Sequence, residues 1–296
     1  MTPQSKSYLY GLTAVLLWST VASAFKISLR YLDHVQLLFY SCCACTVFLA
    51  LVVFAQGKTR LILESTDRQW RRAAVLGLLN PLLYYLVLFK AYALLPAQVA
   101  QPLNYTWALV LGLLSIPLLR QKFSSRLIAA ALVAYSGVVV ISIGNGAADA
   151  RTADPLGIGL ALGSTFIWAL YWIAHTRDDR DAVVALLHNF LCALPLALVV
   201  CWLFSQLRVR DPRGLLGAAY VGLFEMGITY ILWLKALKLT HQAARVSNLI
   251  FISPFLSLVL IHYVVGEAIA PATWVGLVLI IAGLMVQGFK RESPHR

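Results

Sequence analysis

Charge is what this 296-residue chain has least of. Only 12% of its residues are charged, and just 12 are acidic, against about 25% charged in an ordinary soluble domain. Apolar residues make up 60%, and the mean hydropathy is +0.79. A soluble globule cannot hide that much apolar surface, and a disordered chain has the opposite balance. Lipid is therefore the solvent for most of the chain. Nucleotide-binding GxxxxGK[ST], HExxH and GxSxG patterns are absent, which argues against an ATP site and against the commonest embedded hydrolase chemistries. No close carboxylate pair lies in the apolar runs. The five cysteines (Cys42, Cys43, Cys45, Cys192 and Cys201) fall in apolar runs with no CxxC spacing, so they read as small buried residues. Nothing calls for a metal or another cofactor.

Long apolar runs are abundant instead. They lie at about Tyr8–Ala24, Val35–Ala55, Ala73–Leu95, Ala97–Leu119, Leu127–Ile143, Leu156–Ala174, Ala182–Phe204, Leu215–Leu237, Ala243–Val265 and Ala272–Phe289. Each approaches the roughly 20 residues that a membrane-spanning helix needs. In lipid each must be a helix, because every backbone group has to find its partner within the segment. Ten spans leave little chain for a soluble domain. The longest connections are Gln56–Arg72, Gly144–Pro155 and Ser205–Gly214.

The basic excess is a matter of topology. With the N-terminus inside, inner segments carry 17 Lys and Arg and outer segments 7, accounting for all 24. This bias predicts a multi-pass protein of the cell (plasma or inner) membrane with both termini cytoplasmic. It also absorbs the net charge of +12, so nucleic acid is not an expected partner. Ala22-Ser23-Ala24 resembles a signal-cleavage site, but removing the first span would leave nine and spoil the symmetry that follows.

Residues 77–94 match residues 222–239 at an offset of 145: Gly77/Gly222, Leu78/Leu223, Tyr85/Tyr230, Lys90/Lys235, Ala91/Ala236 and Leu94/Leu239 are identical. One residue then drops out, and Gln98/Gln242, Ala100/Ala244 and Asn104/Asn248 follow, with Trp107 opposite Phe251. Trp18 and Trp168 hold similar places in the first span of each half. Five spans per half is odd, so the second half enters the membrane from the other side. Inverted repeats of this kind are an architecture of secondary transporters. The expected division is a first repeat over 8–143, a linker over 144–154 and a second repeat over 155–289.

Polar groups within spans are expensive and should face a cavity or a partner. In span 4 these are Gln98, Gln101 and Asn104, followed by Trp107; in span 9, Gln242, Arg245 and Asn248. Glu225 is the one acidic residue deep in a span, and its repeat partner is Asn80, with Thr229 and Tyr84 one turn further on. A carboxyl there can exchange a proton, recognise a substrate ammonium or pair statically with Lys or Arg. His188 is a second titratable candidate or a packing residue. Lys90, Lys235 and Arg245 suit either interfacial snorkelling or an anion clamp. Trp18, Tyr84, Tyr85, Tyr105, Trp107, Trp168, Tyr171, Trp172 and Tyr230 divide between interfacial belt, packing and a substrate-stacking wall, with Trp18, Tyr84, Trp107, Trp168, Tyr171 and Tyr230 the cavity candidates. Pro81, Pro102, Pro195 and Pro254 permit bends, and Gly159-xxx-Gly163 permits close helix approach.

Gly11-Leu12, Leu17-Trp18-Ser19-Thr20, Ile167-Trp168-Ala169 and the two Lys-Ala pairs, in this order over ten spans, resemble the ten-helix EamA-type branch of the drug/metabolite transporter superfamily. Asn104-Tyr105-Thr106-Trp107 is similar to the aromatic amino acid exporter group of that branch. The resemblance implies an all-α integral membrane protein, two inverted five-helix repeats around a central cavity lined mainly by spans 1, 3, 4, 6, 8 and 9. It implies a transporter that exports small amino-acid-like or drug-like metabolites by alternating access. The alternative is a carrier of anionic or phosphorylated metabolites using Lys90, Lys235 and Arg245. Expected partners are the small-molecule substrate and the bilayer, with a second copy of the chain a further candidate.

Overall fold

A computed structural model describes residues 2–120, 125–148, 154–175, 178–239, 246 and 248–288. Among these the secondary structure is entirely helical. Eight helices are long and apolar enough to cross a bilayer: α1 (Pro3–Ser28), α2 (His34–Ala55), α3 (Asp67–Leu94), α4 (Ala97–Leu119), α5 (Ser125–Gly144), α6 (Pro155–His175), α7 (Ala182–Phe204) and α8 (Pro212–Leu237). Two shorter apolar helices follow, α9 (Leu249–Val265) and α10 (Pro271–Val286). The five cysteines are all unbridged.

The connection between α2 and α3 differs from the sequence reading. The Gln56–Arg72 connection is largely helical: a short helix spans Thr59–Leu63, and α3 begins at Asp67. Thr66 and Gln69 form a reciprocal capping box that starts α3 two polar turns before its apolar run. Hydropathy alone places a helix where it enters lipid, not where its cap lies.

The packing has a twofold exchange built into it. Helix α1 packs on α8 as α6 packs on α3; α4 on α6 matches α9 on α1; α2 on α8 matches α7 on α3. The pairs α2–α7 and α5–α10 map onto themselves and so straddle the exchange axis. Two contacts fix the direction of the halves. Ser7, at the start of α1, donates to the Ala236 carbonyl near the end of α8 (2.6 Å). Lys26, at the other end of α1, reaches carbonyls at the end of α3. The five-helix halves therefore run antiparallel. The end holding the start of α1 is called the near end below, and the opposite one the far end.

The repeated glycines sit where the two halves touch. A Cβ on Gly77 would strike the backbone carbonyl of Asn189 in α7, and one on Gly222 that of Ser41 in α2. Gly159 and Gly163 do not behave this way: no atom lies within 4 Å of a Cβ added to either. The expected close approach there is absent because that face of α6 has no neighbouring helix among the described residues.

At these glycines both helices widen into π-type turns, Leu78–Leu83 in α3, just past Gly77, and Val221–Ile228 in α8, which includes Gly222. In α3 the cause is Pro81, which lacks an N–H and drives the residue before it out of the helical region. Asn80 is accordingly extended (φ −143°, ψ 119°), and the Asn80–Pro81 bond is cis. In α8 Met226 stands in place of the proline, and the Thr229 hydroxyl donates to the Phe224 carbonyl within the widened turn. Interruptions also match in α4, broken at Thr106, and α9, which changes from a 3₁₀ start (Asn248–Ile252) to α at Ser253.

Candidate functional site

A cavity of about 320 Å³ opens between the halves, within the roughly 300–1,000 Å³ typical of small-ligand sites. Helices α1, α3, α4, α6, α8 and α9 all contribute to its wall. Wide turns frequently occur at functional sites, and here the α8 turn delivers Glu225 to the cavity. Tyr85 donates to its Oε1 at 3.0 Å, and Trp18 stands within hydrogen-bonding reach. Oε2 has no protein partner. None of the ion pairs among the described residues involves Glu225, which removes the static-pair reading for them.

The rest of the wall is aromatic. Tyr84 stacks on Trp168 with centroids 4.4 Å apart and planes at 28°. Trp107 meets Trp168 edge-on, Trp172 stacks on Tyr230 at 18°, and Trp18 leans on Trp233. Tyr84 donates to Asn104 Oδ1 (3.3 Å), and Asn104 Nδ2 donates to Ser164 (2.9 Å). Asn104 thus lines the cavity and also ties α3 to α4 and α6. Gln101 lines it with its carbonyl oxygen buried and unpartnered, as is the Trp172 indole nitrogen.

The structure brings Trp18, Tyr84, Gln101, Asn104, Trp107, Trp168, Glu225 and Tyr230 to this one cavity. Other candidates lie elsewhere. Tyr171 is fully buried behind Trp168, its hydroxyl 3.3 Å from that of Tyr230. Asn80 is buried facing Tyr171, because its turn points away from the cavity. Thr229 spends its hydroxyl within its own turn.

Gln98 belongs to the far-end seal rather than the cavity. Its amide donates to the Ala268 carbonyl (2.7 Å) and accepts from Ala270 N (2.9 Å) and Thr273 (3.2 Å). Beside it the Glu267 carboxylate accepts from the N–H groups of Ala97 and Gln98 at 2.9 and 3.0 Å, capping α4. Lys26 Nζ donates to the carbonyls of Tyr92 (2.8 Å) and Leu95 (2.6 Å), capping the end of α3. Each charge faces the helix end whose partial charge is opposite.

His188 lies near the other end, outside the cavity. It sits 3.2 Å from Ser65, 3.4 Å from Arg180 and edge-on to Trp70. The Arg180 guanidinium, almost wholly buried, donates to Asp178 (2.7 Å), Asn189 Oδ1 (3.3 Å) and the Gln69 carbonyl (3.4 Å). Burial alone would push the Asp178 carboxyl up, but the hydrogen bonds and charge of Arg180 outweigh it and hold it below the usual carboxylate range. Lys90 is half-buried but outside the cavity, and Lys235 is exposed, its ammonium 6.0 Å from the Tyr10 ring. Snorkelling therefore describes Lys235 better than an anion clamp. Gln242 and Arg245 lie outside the described residues, as does the side chain of Asn248.

Sequence reading underweighted Trp172 and missed Trp233, Lys26 and Glu267. Trp172 follows Trp168 by one helical turn, a spacing that puts both on one face. Lys26 and Glu267 carried no such signal, since their partners are backbone groups about 66 and 170 residues away.

Comparison with known proteins agrees with this architecture. An uncharacterized transporter of Archaeoglobus fulgidus is 23% identical over 98% of this chain and 99% of its own. An aromatic amino acid exporter, YddG, of Ancylobacter novellus is 27% identical over 96% of this chain and 97% of its own. A solved crystal structure superposes with a TM-score of 0.66 at 24% identity, covering 96% of both chains. The EamA-like transporter family matches twice, at residues 5–143 and 155–288. The double match, the antiparallel halves and the cavity between them place this chain in the EamA-like transporter family: it is a multi-pass membrane transporter of small molecules and not an enzyme.

Proposed function

We infer that the chain is a secondary transporter that exports small, amphipathic, flat metabolites across the cell membrane, both termini cytoplasmic, by alternating access coupled to protons. The two repeats (8–143 and 155–289, joined by 144–154) exchange roles between the inward- and outward-open states. The observation that carries this reading is Glu225: a carboxyl on a widened turn, facing the central cavity and bonded only by neutral partners. Without a fixed counter-charge it can gain and lose a proton as the cavity changes the side it faces. The stacked Tyr84–Trp168 and Trp172–Tyr230 pairs provide flat apolar faces for the organic part of a solute.

The anion-carrier alternative is less well supported, because neither Lys90 nor Lys235 lines the cavity. A metabolite screen of medium from cells with and without overexpression identifies solutes to test. Their flux is then followed in liposomes under an imposed pH gradient. Glu225→Gln is expected to abolish the gradient-driven component, and full flux in that variant would defeat the coupling role.

A further inference from the structure

The unpaired polar atoms of the cavity specify the charge type of the solute, an inference that rests on the transport reading above and narrows it. Three buried polar atoms of residues that line the cavity have no protein partner: Glu225 Oε2, Gln101 Oε1 and Trp172 Nε1. Two are acceptors and one is a donor. Leaving a buried polar atom unpaired is costly, so a well-matched solute supplies what the wall lacks. That means at least two donated hydrogen bonds, one of them to a carboxylate.

The charges point the same way. Among the described residues lining the cavity, Glu225 is the one acidic group, and there is no Lys or Arg. A substrate carboxylate would enter beside Glu225 with no cation to pair with. An ammonium finds a carboxylate, an amide oxygen and several aromatic faces, all favourable to a positive charge.

The geometry points to an aromatic primary amine as the preferred ligand, with the zwitterionic amino acid of the same ring system rejected. Glu225 and Gln101 take the ammonium protons, the stacked aromatics flank the ring, and the Trp172 N–H meets a neutral acceptor where the solute has one. Gln101 is then a specificity-determining residue, acting on the amine and not on the ring. This departs from what the printed name of the aromatic amino acid exporter relative suggests.

The test is equilibrium binding of labelled tryptamine to the detergent-solubilised protein at pH 7.5, competed by unlabelled tryptamine, tryptophan and indole-3-acetate. Tryptamine is expected to compete at least about tenfold more strongly than tryptophan, with indole-3-acetate weakest, as an unpaired buried carboxylate demands. Gln101→Ala is expected to weaken tryptamine several-fold, and Gln101→Glu to strengthen it. Tryptophan competing as well as tryptamine overturns the inference, as does an amine preference unaltered in both Gln101 variants or no binding of tryptamine at all. Arg245→Gln is included because the sequence puts Arg245 in span 9, one of the helices that line the cavity. Loss of tight tryptophan binding in that variant assigns it the carboxylate and also overturns the inference. Liposome flux separates the two readings. Selective tryptamine binding with no flux of any solute leaves the site assignment standing and defeats the transport reading instead.

Discussion

At the scale of single residues, the near-end hub around Arg180 is the most exacting arrangement outside the cavity. Its guanidinium is buried and holds the α6–α7 connection, the start of α7 and the start of α3 through Asp178, Asn189 and Gln69. Asp178→Asn leaves that charge without its counter-ion and is expected to cost about 3–5 kcal/mol, read as a lowered Tm of the solubilised protein. Arg180→Lys cannot serve all three partners, since an ammonium lacks the planar fork. The pH dependence follows from the same pair. Asp178 is held below its unfolded value of about 4, so its carboxylate favours the folded state. That contribution is complete above about pH 4 and drains away as the pH falls through the lower folded value. Thermal unfolding followed from pH 6 to pH 3 is expected to show a loss of stability below pH 4 that is smaller in Asp178→Asn. An equal slope in both proteins would assign the acid sensitivity to other carboxylates, such as Asp181, which Lys58 holds down in the same way.

At the scale of elements, lipid made the spans readable. A helix that must satisfy its own backbone in hydrocarbon announces itself by length and hydropathy, and the repeat emerged from identities such as Gly77/Gly222 and Tyr85/Tyr230. Pro81 could be read as a bend, but the widened turn of α8 could not, because it depends on Thr229 bonding back to Phe224 and on contacts with α2. For the same reason Asn80 and Glu225, equivalent in sequence, differ in place: one turn faces Tyr171, the other the cavity. Gln98 resembled a cavity residue because polarity within an apolar run carries no label for its partner, here a loop some 170 residues away. The glycines give a direct test of helix approach. Gly77→Ala and Gly222→Ala each push a methyl into a backbone carbonyl, which cannot swing aside as a side chain can. Each is expected to cost about 1–3 kcal/mol. Gly159→Ala meets open space and should be neutral or slightly stabilising by helix propensity. Melting temperatures of the three variants decide it; equal effects would mean that the first two helices yield.

At the scale of the whole molecule, the exchange symmetry of the packing is not matched by symmetry of charge. At the far end, the α3–α4 turn is gripped from both halves, by Lys26 of α1 on its carbonyls and by Glu267, which follows α9, on its amides. Arg30 adds a bond to the Val265 carbonyl at 2.8 Å. In sequence, the segment of the first repeat corresponding to Glu267 is residues 120–126, Arg-Gln-Lys-Phe-Ser-Ser-Arg, which has no acid. Two halves of identical charge would favour neither face. Among the described residues these charged bonds hold the α3–α4 turn, and they favour closure of the far end. The bias should be small enough to reverse, because ties of this kind are worth about 1.5–3 kcal/mol each. Replacing both clamp residues (Lys26→Gln with Glu267→Gln) removes the charge-assisted bonds but keeps polar side chains of similar length. A cysteine placed at Phe25, on the far half of the cavity wall, in a background without the native cysteines, reports on the seal through a membrane-impermeant thiol reagent added at the far face. Labelling is expected to be slow with the clamp intact and to rise roughly tenfold or more without it, the population shift that about 1.4 kcal/mol produces. Labelling that stays slow after both substitutions would mean that aromatic packing, such as Phe25 against Phe89 and Tyr92, holds the far end shut without help from charge.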